Sequence, residues 1–140
     1  MESTHKNVRV RDPNSEGCKA LAETLARIGD KWTILVVGAL SNGAQRYNAL
    51  RRMIDGISQR MLTLTLKGLE QDGLVTRTLY PSVPPRVDYE LTDLGRSLVG
   101  TLAAVADWAT TNRDAMMAAR AAYGVRDAGE TAPPATGRAA

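Results

Sequence analysis

Residues 56–75 have the sequence GISQRMLTLTLKGLEQDGLV and carry the signals of one complete helix. Ser58 suits the N-cap, because its hydroxyl can accept a hydrogen bond from a backbone amide one turn further on. At about 100° per residue, the apolar side of this helix consists of Leu62, Leu66 and Leu69. Its polar arc consists of Gln59, Arg60, Thr63, Lys67, Glu70 and Gln71. Gly68 lies on a side where we expect close packing, and Gly73 ends the helix.

Two short strands are predicted after this helix, over residues 74–80 and 86–91. In the second strand Val87, Tyr89 and Leu91 alternate with polar residues, which is typical of a half-buried strand. The PSVPP loop between them cannot donate ladder hydrogen bonds at its prolines, so it forms the tip of a hairpin. Such a helix followed by a two-stranded ribbon is the layout of a winged helix-turn-helix, which places the helix in a DNA groove and the ribbon against the backbone.

Hydrophobic periodicity and helix-ending residues predict further helices over about residues 18–28, 31–40, 47–53 and 94–119. In the second of these, the expected inward stripe consists of Trp32, Leu35, Val36 and Ala39. The predicted fold class is therefore mainly α with a small β-hairpin. It is a winged helix-turn-helix with a long C-terminal dimerisation helix.

The last helix is longer than a small domain needs to cover one core. Its apolar residues keep a three-to-four spacing for about seven turns, which favours pairing with a second copy of the chain. The residues predicted to form the dimer are Leu21, Leu25, Leu98, Leu102, Val105 and Trp108. The alternative is that the helix folds back at Thr110-Thr111 to cover its own core.

The composition divides the chain into three segments. Residues 1–16 are polar and lack a period, so we expect a flexible N-terminal arm. Residues 17–123 form the winged helix-turn-helix domain with its dimerisation helices. Residues 124–140 are rich in Ala, Gly, Pro and Thr and have little to bury, so we expect a disordered tail.

The net charge of +3 is too small to identify a partner, but its distribution is informative. Residues 46–86 hold seven basic and three acidic residues, a balance of +4, whereas the rest of the chain balances at −1. Positive charge near the polar helix is what phosphate contact requires, although a solvated basic surface has the same composition.

No apolar run approaches the ~18 residues of a membrane span and no signal-peptide pattern is present, so we expect a soluble cytoplasmic protein without membrane contact.

Seven sequence elements occur in a specific order. They are Cys18; IGDKW at 28–32 with Ile34-Leu35; Arg46-Tyr47 with Leu50; GISQRMLT at 56–63; LEQDGLV at 69–75; PPRVDYELT at 84–92; and Gly95 to Trp108. Over about residues 18–110 the chain thus resembles the HxlR-type regulators, relatives of the MarR group. The resemblance implies a homodimeric transcription factor that recognises DNA through the helix after Ser58 and through the wing. Lys19 and Tyr47 stand where the family often has Pro and usually has Phe.

Basic and polar side chains on the predicted helix-turn-helix and wing are the candidates for DNA contact. They are Arg46, Arg51, Ser58, Gln59, Arg60, Thr63, Lys67, Arg77 and Arg86. Arg can donate bidentately to guanine and Gln can pair with adenine. Arg77 and Arg86 flank the wing tip, where they contact DNA or pair across the strands with Asp88 or Glu90. Arg46, Arg51 and Arg52 border the helix that would cross the DNA backbone.

Cys18 is the only cysteine, so an intrachain disulfide is impossible. Its position at a helix start beside Lys19 favours the thiolate, the reactive form of the side chain. Such a thiol near a dimer interface could sense oxidants, quinones or aldehydes, or join two chains, as it does in several members of the family. The alternative is an inert, buried small residue.

The sequence contains no Walker, Rossmann or His-Glu-x-x-His motif, and its one histidine, His5, lies in the arm. We therefore expect no enzyme and no cofactor or metal. The sequence favours a repressor that binds an inverted-repeat operator as a homodimer. Two alternatives stay open. One is a winged-helix protein-interaction module that does not bind DNA. The other is a small-molecule sensor whose pocket is lined by Trp32, Met53, Trp108, Met116 and Met117.

Overall fold

The computed structural model describes residues 12–131. In chain order the elements are α1 Glu16–Ile28, α2 Lys31–Leu40, β1 Gln45–Arg46, α3 Tyr47–Met53, α4 Gln59–Gln71, β2 Val75–Tyr80, β3 Arg86–Leu91 and α5 Asp93–Thr131. One compact unit extends to Gly100, and the chain from Thr101 onwards forms a second. The predicted fold class, mainly α with a winged helix-turn-helix, is confirmed. The short strand β1 enlarges the predicted hairpin to three strands.

Side-chain caps set the starts of three helices. The hydroxyl of Ser15 accepts a hydrogen bond from the amide of Cys18 at 3.0 Å, and Ser58 caps α4 in the same way through Met61 at 3.0 Å. Asp30 caps α2 by accepting from the Thr33 amide at 2.9 Å. Each cap satisfies an amide that the helix itself leaves without a partner. Because Ser15 is the cap, α1 begins at Glu16, the residue predicted to end the arm.

The end of α4 is a Schellman motif. Gly73 has a positive φ of 76° and donates its amide to the carbonyl of Glu70 at 3.0 Å. The amide of Leu74 reaches back to the carbonyl of Leu69 at 2.9 Å. A positive φ favours glycine, so the prediction that Gly73 ends this helix is confirmed. The chain then enters β2 directly, which sets the direction in which the wing leaves α4.

The three strands form an antiparallel sheet in the order β1-β3-β2. Arg77 of β2 and Gln45 of β1 both lie opposite Tyr89 of β3. Tyr89 and Leu91 are buried whereas Glu90 between them is exposed, which confirms the predicted half-buried strand. Because residues directly opposite each other share a face of the sheet, this register decides which side chains of the wing lie together.

The core lies among α2, α3, α4 and the sheet. Its most deeply buried large side chains are Val36, Val37, Leu40, Leu50, Leu62 and Leu66. The inward stripe predicted for α2 was partly wrong, because Leu35 is 43% exposed and Thr33 is buried in its place. The Thr33 hydroxyl donates to Asp30 at 2.9 Å, so it can be buried without losing a hydrogen bond. Since nearly every residue of α2 is apolar, its periodicity did not specify the face.

Two glycines differ in what surrounds them. A Cβ at Gly95, in the first turn of α5, would collide with the carbonyl oxygen of Leu74, so this buried position requires glycine. A Cβ at Gly68 would meet no atom within 4 Å. The close packing expected at Gly68 was therefore wrong: it lies beside an open cleft rather than a packed helix.

The last helix is continuous from Asp93 to Thr131, so it does not fold back at Thr110-Thr111. The Thr110 hydroxyl donates to the carbonyl of Ala106 at 2.9 Å, and the side-chain amide of Asn112 donates to the carbonyl of Trp108 at 2.8 Å. These polar groups bond to the carbonyl one turn earlier in the same helix, so they do not interrupt it.

The helix also continues beyond Gly124, the predicted start of the tail. The guanidinium of Arg126 lies 5.3 Å from the centre of the Tyr123 ring, a contact between neighbouring turns that supports this extension. Residues 1–11, which include His5, and residues 132–140 lie outside the described part of the chain. The predictions of a flexible arm and a disordered tail are not tested there. No helix between residues 12 and 131 is long and apolar enough to cross a membrane.

Candidate nucleic-acid interface

The predicted polar arc of α4 is exposed to solvent, including Glu70 and Gln71. Its candidates for DNA contact, called the polar face below, are Gln59, Arg60, Thr63 and Lys67. The opposite side is buried: Leu62, Leu66 and Leu69 are 0%, 1% and 3% exposed. The helix is thus anchored in the core by its leucines and presents donors and acceptors of the types that contact bases and phosphates.

Tyr47 connects the start of α3 to the first turn of α4. Its phenol oxygen lies 3.0 Å from the carbonyl oxygen of Gln59, to which it donates, and 2.9 Å from Oγ1 of Thr63. The two helices of the motif are therefore joined where the polar face of α4 begins. This role of Tyr47 was not predicted from the sequence. The available signal was a hydroxyl at a position where the family usually carries Phe.

Arg86 is held within the wing. Its Nε lies 3.2 Å from Oδ1 of Asp88, and its guanidinium lies 4.3 Å from the centre of the Tyr80 ring. This ion pair joins two residues of the same strand, β3. The alternative that Arg86 pairs across the strands with Asp88 or Glu90 is therefore wrong. Arg77 lies opposite Tyr89 and therefore on the other face of the hairpin, where its side chain is exposed. The two wing arginines, predicted to act together, thus lie on different faces of the hairpin.

A cleft of about 640 Å³ lies between α3 and the wing tip. Three arginines line it: Arg46, Arg52 and Arg86. Arg46 faces Asp88 in the strand register, so it shares the face of the sheet that carries Arg86. Guanidinium groups bind phosphate oxygens in a bidentate manner, so the cleft suits one or more backbone phosphates. Arg51 is exposed in the last turn of α3 but does not line this cleft.

A second cleft, of about 360 Å³, is lined by α4 on one side and by residues of α1 and α2 on the other. Its walls include Trp32, Met61, Leu64 and Gly68, together with the ion pair of Arg27 and Asp72. The hydrogen bond to Asp72 raises the pKa of Arg27 above its ordinary value. Of the residues predicted to line a ligand pocket, only Trp32 contributes to this cleft. Between residues 12 and 131 no group of three or more His, Cys, Asp or Glu is placed to hold a metal ion.

The remaining predicted site residues divide between the two units. In the first, Cys18 is half-buried near the start of α1, Leu98 is half-buried in α5, and Leu21 and Leu25 are 44% and 52% exposed. In the second, Leu102 is half-buried, whereas Val105 and Trp108 are 60% and 58% exposed. The structure contains one copy of the chain, so the dimerisation roles stay predictions.

A model of the HxlR-like helix-turn-helix family matches residues 27–117. The chain belongs to this family. YybR of Bacillus subtilis, an HTH-type transcriptional regulator, is 42% identical to it over 115 residues, which span 82% of this chain and 91% of YybR. YtfH of Escherichia coli, also an HTH-type transcriptional regulator, is 43% identical over 98 residues, or 70% of this chain and 78% of YtfH. The HxlR resemblance read from the seven sequence elements is confirmed.

The redox regulator HypR in its reduced form is a similar solved structure, with a TM-score of 0.67 and 40% identity. The match covers 71% of this chain and 98% of HypR. HypR has also been solved in an oxidised form, which matches with a TM-score of 0.62. With its fold and its relatives in agreement, this HxlR-family chain is a transcriptional regulator with a helix-turn-helix domain.

Proposed function

We propose that this regulator is a sequence-specific DNA-binding repressor that acts as a homodimer on an inverted-repeat operator. The observation that carries the proposal is the exposed polar face of α4, backed by three buried leucines on the opposite side. A helix anchored in this way can enter the major groove without losing its packing. Membership of the HxlR family supports the same role.

The side chains divide by what they can contact. Arg60 and Gln59 have the donors and acceptors that suit guanine and adenine edges, while Lys67 supplies a point charge about two turns further along α4. The arginines that line the cleft between α3 and the wing tip (the α3–wing cleft), Arg46, Arg52 and Arg86, contact the DNA backbone. Arg51 and Arg77 are exposed outside this cleft and add further DNA contacts. Ser58 primarily caps α4, and its hydroxyl proton is left to reach a phosphate.

Exposed apolar side chains support the homodimer. Leu21 and Leu25 on α1, and independently Val105 and Trp108 on α5, are each at least 44% exposed in the single chain. Large apolar side chains at regular helical spacing are covered by a second copy in many small regulators. A two-fold dimer then contacts two half-sites about one helical turn apart, so the operator is an inverted repeat.

Selection from a random library of DNA duplexes, followed by titration at increasing salt, tests the proposal. Enrichment of an inverted repeat is expected, and log affinity should fall with log salt with a slope of about −0.9 for each phosphate contact. Failure to enrich any sequence, with a partner protein instead shielding the α4 face, would favour the protein-interaction module.

Cys18 is the proposed point of control. It is the only cysteine and lies near the start of α1, two residues past the first residue of the helix. The similar protein HypR is a redox regulator. A hydroperoxide would convert the thiolate to a sulfenic acid with release of an alcohol, and condensation with Cys18 of a second copy would release water and form an interchain disulfide. Either product would alter how two copies present their α4 helices.

A further inference from the structure

The proton positions at Tyr47 can be assigned from chemistry alone. A phenol carries one proton, and a carbonyl oxygen can only accept. Since the Tyr47 oxygen lies 3.0 Å from the Gln59 carbonyl oxygen, the phenol proton must lie between them. The carbonyl has two lone pairs, so it accepts this proton in addition to its hydrogen bond within the helix.

This assignment determines the direction of the second hydrogen bond. Between the Tyr47 oxygen and Oγ1 of Thr63, 2.9 Å apart, the only proton left is that of the threonine hydroxyl. Thr63 therefore donates and Tyr47 accepts. The reverse direction would leave the Tyr47 and Gln59 oxygens in contact with no proton between them, which is repulsive.

Thr63 is consequently an acceptor toward solvent. Its single hydroxyl proton is used inside the protein, while a lone pair of Oγ1 stays available on the exposed face of α4. Phosphate oxygens, guanine O6 and thymine O4 are acceptors too, so Thr63 cannot bond to them. The amino groups of adenine and cytosine are donors in the major groove and can bond to it.

We propose that Thr63, with its proton held by Tyr47, is a specificity-determining residue that selects adenine or cytosine over guanine or thymine at the base it faces. The inference rests on the proposed function, because it requires α4 to enter the major groove. It assigns Tyr47 a role as a positioning residue that sets the hydrogen-bonding polarity of Thr63.

Two matched substitutions separate this role from a purely structural one. Tyr47→Phe keeps the ring and releases the Thr63 proton, so Thr63 can then donate as well as accept. Thr63→Val keeps the shape and removes both capacities. Thr63→Val identifies the base that Thr63 faces. It is the operator position at which this variant no longer prefers one base over another. At that position the wild type should favour adenine or cytosine by about fivefold or more. The reason is that Oγ1 of Thr63 gains a hydrogen bond from their amino groups, whereas at guanine or thymine it faces another acceptor oxygen.

The two variants should then differ in a defined way. Tyr47→Phe should bind the preferred base within about twofold of wild type and gain affinity for guanine or thymine, so that discrimination disappears. Thr63→Val should lose about fivefold on the preferred base and gain nothing on the others. Thermal unfolding checks that both variants are folded. Preferences at positions contacted by Gln59 and Arg60 should not change in Tyr47→Phe.

A measurement on the wild-type protein makes the test independent of the variants. Replacing the selected adenine by purine, or the selected cytosine by 2-pyrimidinone, removes the amino group and should weaken binding by the same factor. The inference is overturned by a wild-type preference for guanine or thymine, by an unchanged profile in Thr63→Val, or by altered preferences at every position in Tyr47→Phe. These results leave the proposed function intact, whereas failure to enrich any DNA removes both.

Discussion

At the scale of single residues, the basic side chains of the candidate interface differ in how strongly the protein already holds them. Within residues 12–131 the side chains of Arg60 and Lys67 make no hydrogen bond or ion pair, so they can move to a ligand at little cost. The guanidinium of Arg86, in contrast, is fixed by Asp88 and stacked on Tyr80. Arg86 therefore holds the wing in shape as well as adding charge to the α3–wing cleft.

Arg60→Ala should weaken binding to the selected operator by roughly 1–3 kcal/mol, because a base-contacting arginine loses its bidentate hydrogen bonds. Titration of labelled operator duplex measures the effect. Arg113→Ala is the matched control, since it removes one exposed positive charge from α5 instead. An Arg60→Ala protein with wild-type affinity would remove this residue from the interface.

Gly95→Ala should lower the free energy of unfolding by about 1–3 kcal/mol, because the added methyl group collides with the backbone of Leu74. Gly100→Ala in the same helix has open space around its Cβ and should be neutral or stabilising by up to about 1 kcal/mol. Urea unfolding distinguishes the two. Equal stability of the two variants would mean that the approach of α5 to Leu74 is looser than described.

At the scale of elements, α4 is defined at both ends by local chemistry and oriented by neighbours. Ser58 caps its start and the Schellman motif at Gly73 ends it. Tyr47 attaches its first turn to α3, and the ion pair of Arg27 with Asp72 attaches its last turn to α1. The helix is thus held at each end by a different element, which keeps its polar face in one orientation.

Substitutions at Ser58 separate capping from DNA contact. Ser58→Ala should cost about 0.5–2 kcal/mol of stability because the Met61 amide loses its acceptor. Ser58→Asp keeps the cap and should retain stability, but its negative charge should weaken DNA binding through repulsion of phosphate. Parallel unfolding and operator titrations provide the readout. Wild-type DNA affinity in Ser58→Asp would place this residue away from the backbone.

At the scale of the whole molecule, the proposed assembly rests on the long helix α5 and the proposed control rests on Cys18. From Thr101 onwards α5 leaves several large apolar side chains more than half exposed, including Val105 and Trp108. An isolated chain would keep this area in water at about 25 cal/mol per Å². A second copy that covers it removes this cost.

Val105→Asp should convert the dimer to monomers, because it places an unpaired charge on the proposed apolar seam. Val105 is 60% exposed in the single chain, so the protomer should still fold. Ala103→Asp is the control, since two residues along a helix turn the side chain by about 200°. Sedimentation velocity reports the oligomeric state. A dimer that persists in Val105→Asp would place the interface elsewhere.

Cys18→Ser should bind operator like the wild type but keep its affinity after treatment with a hydroperoxide or a quinone. In the wild type the same treatment should change operator affinity, and mass spectrometry should find an adduct or an interchain disulfide at Cys18. Serine preserves the size of the side chain but lacks a reactive thiolate. A Cys18→Ser protein that still responds would transfer control to another site, with the cleft at Trp32 as the first place to examine.

Most of the fold could be predicted because its signals are local. Helix starts depend on Ser58 and Asp30, and the end of α4 depends on the freedom of Gly73 to adopt a positive φ. The pairing of Arg86 with Asp88 was also within reach, since residues two apart in a strand share a face. The inward face of α2 could not be predicted, because a helix that is apolar nearly all round carries no periodic signal.

The sequence by itself thus determined the order of the five helices and the hairpin, the polar arc of α4 and the family, because caps, periodicity and motif order are encoded within a few neighbouring residues. It did not reveal the two-residue strand β1, which exists only through its pairing with β3. The tertiary structure alone decided which residues meet. It separated Arg77 from Arg86 on the two faces of the wing, placed Gly68 beside an open cleft and brought the Tyr47 hydroxyl to Thr63, 16 residues away. Such contacts depend on how elements pack and on strand register, which are set by the whole core rather than by any one segment.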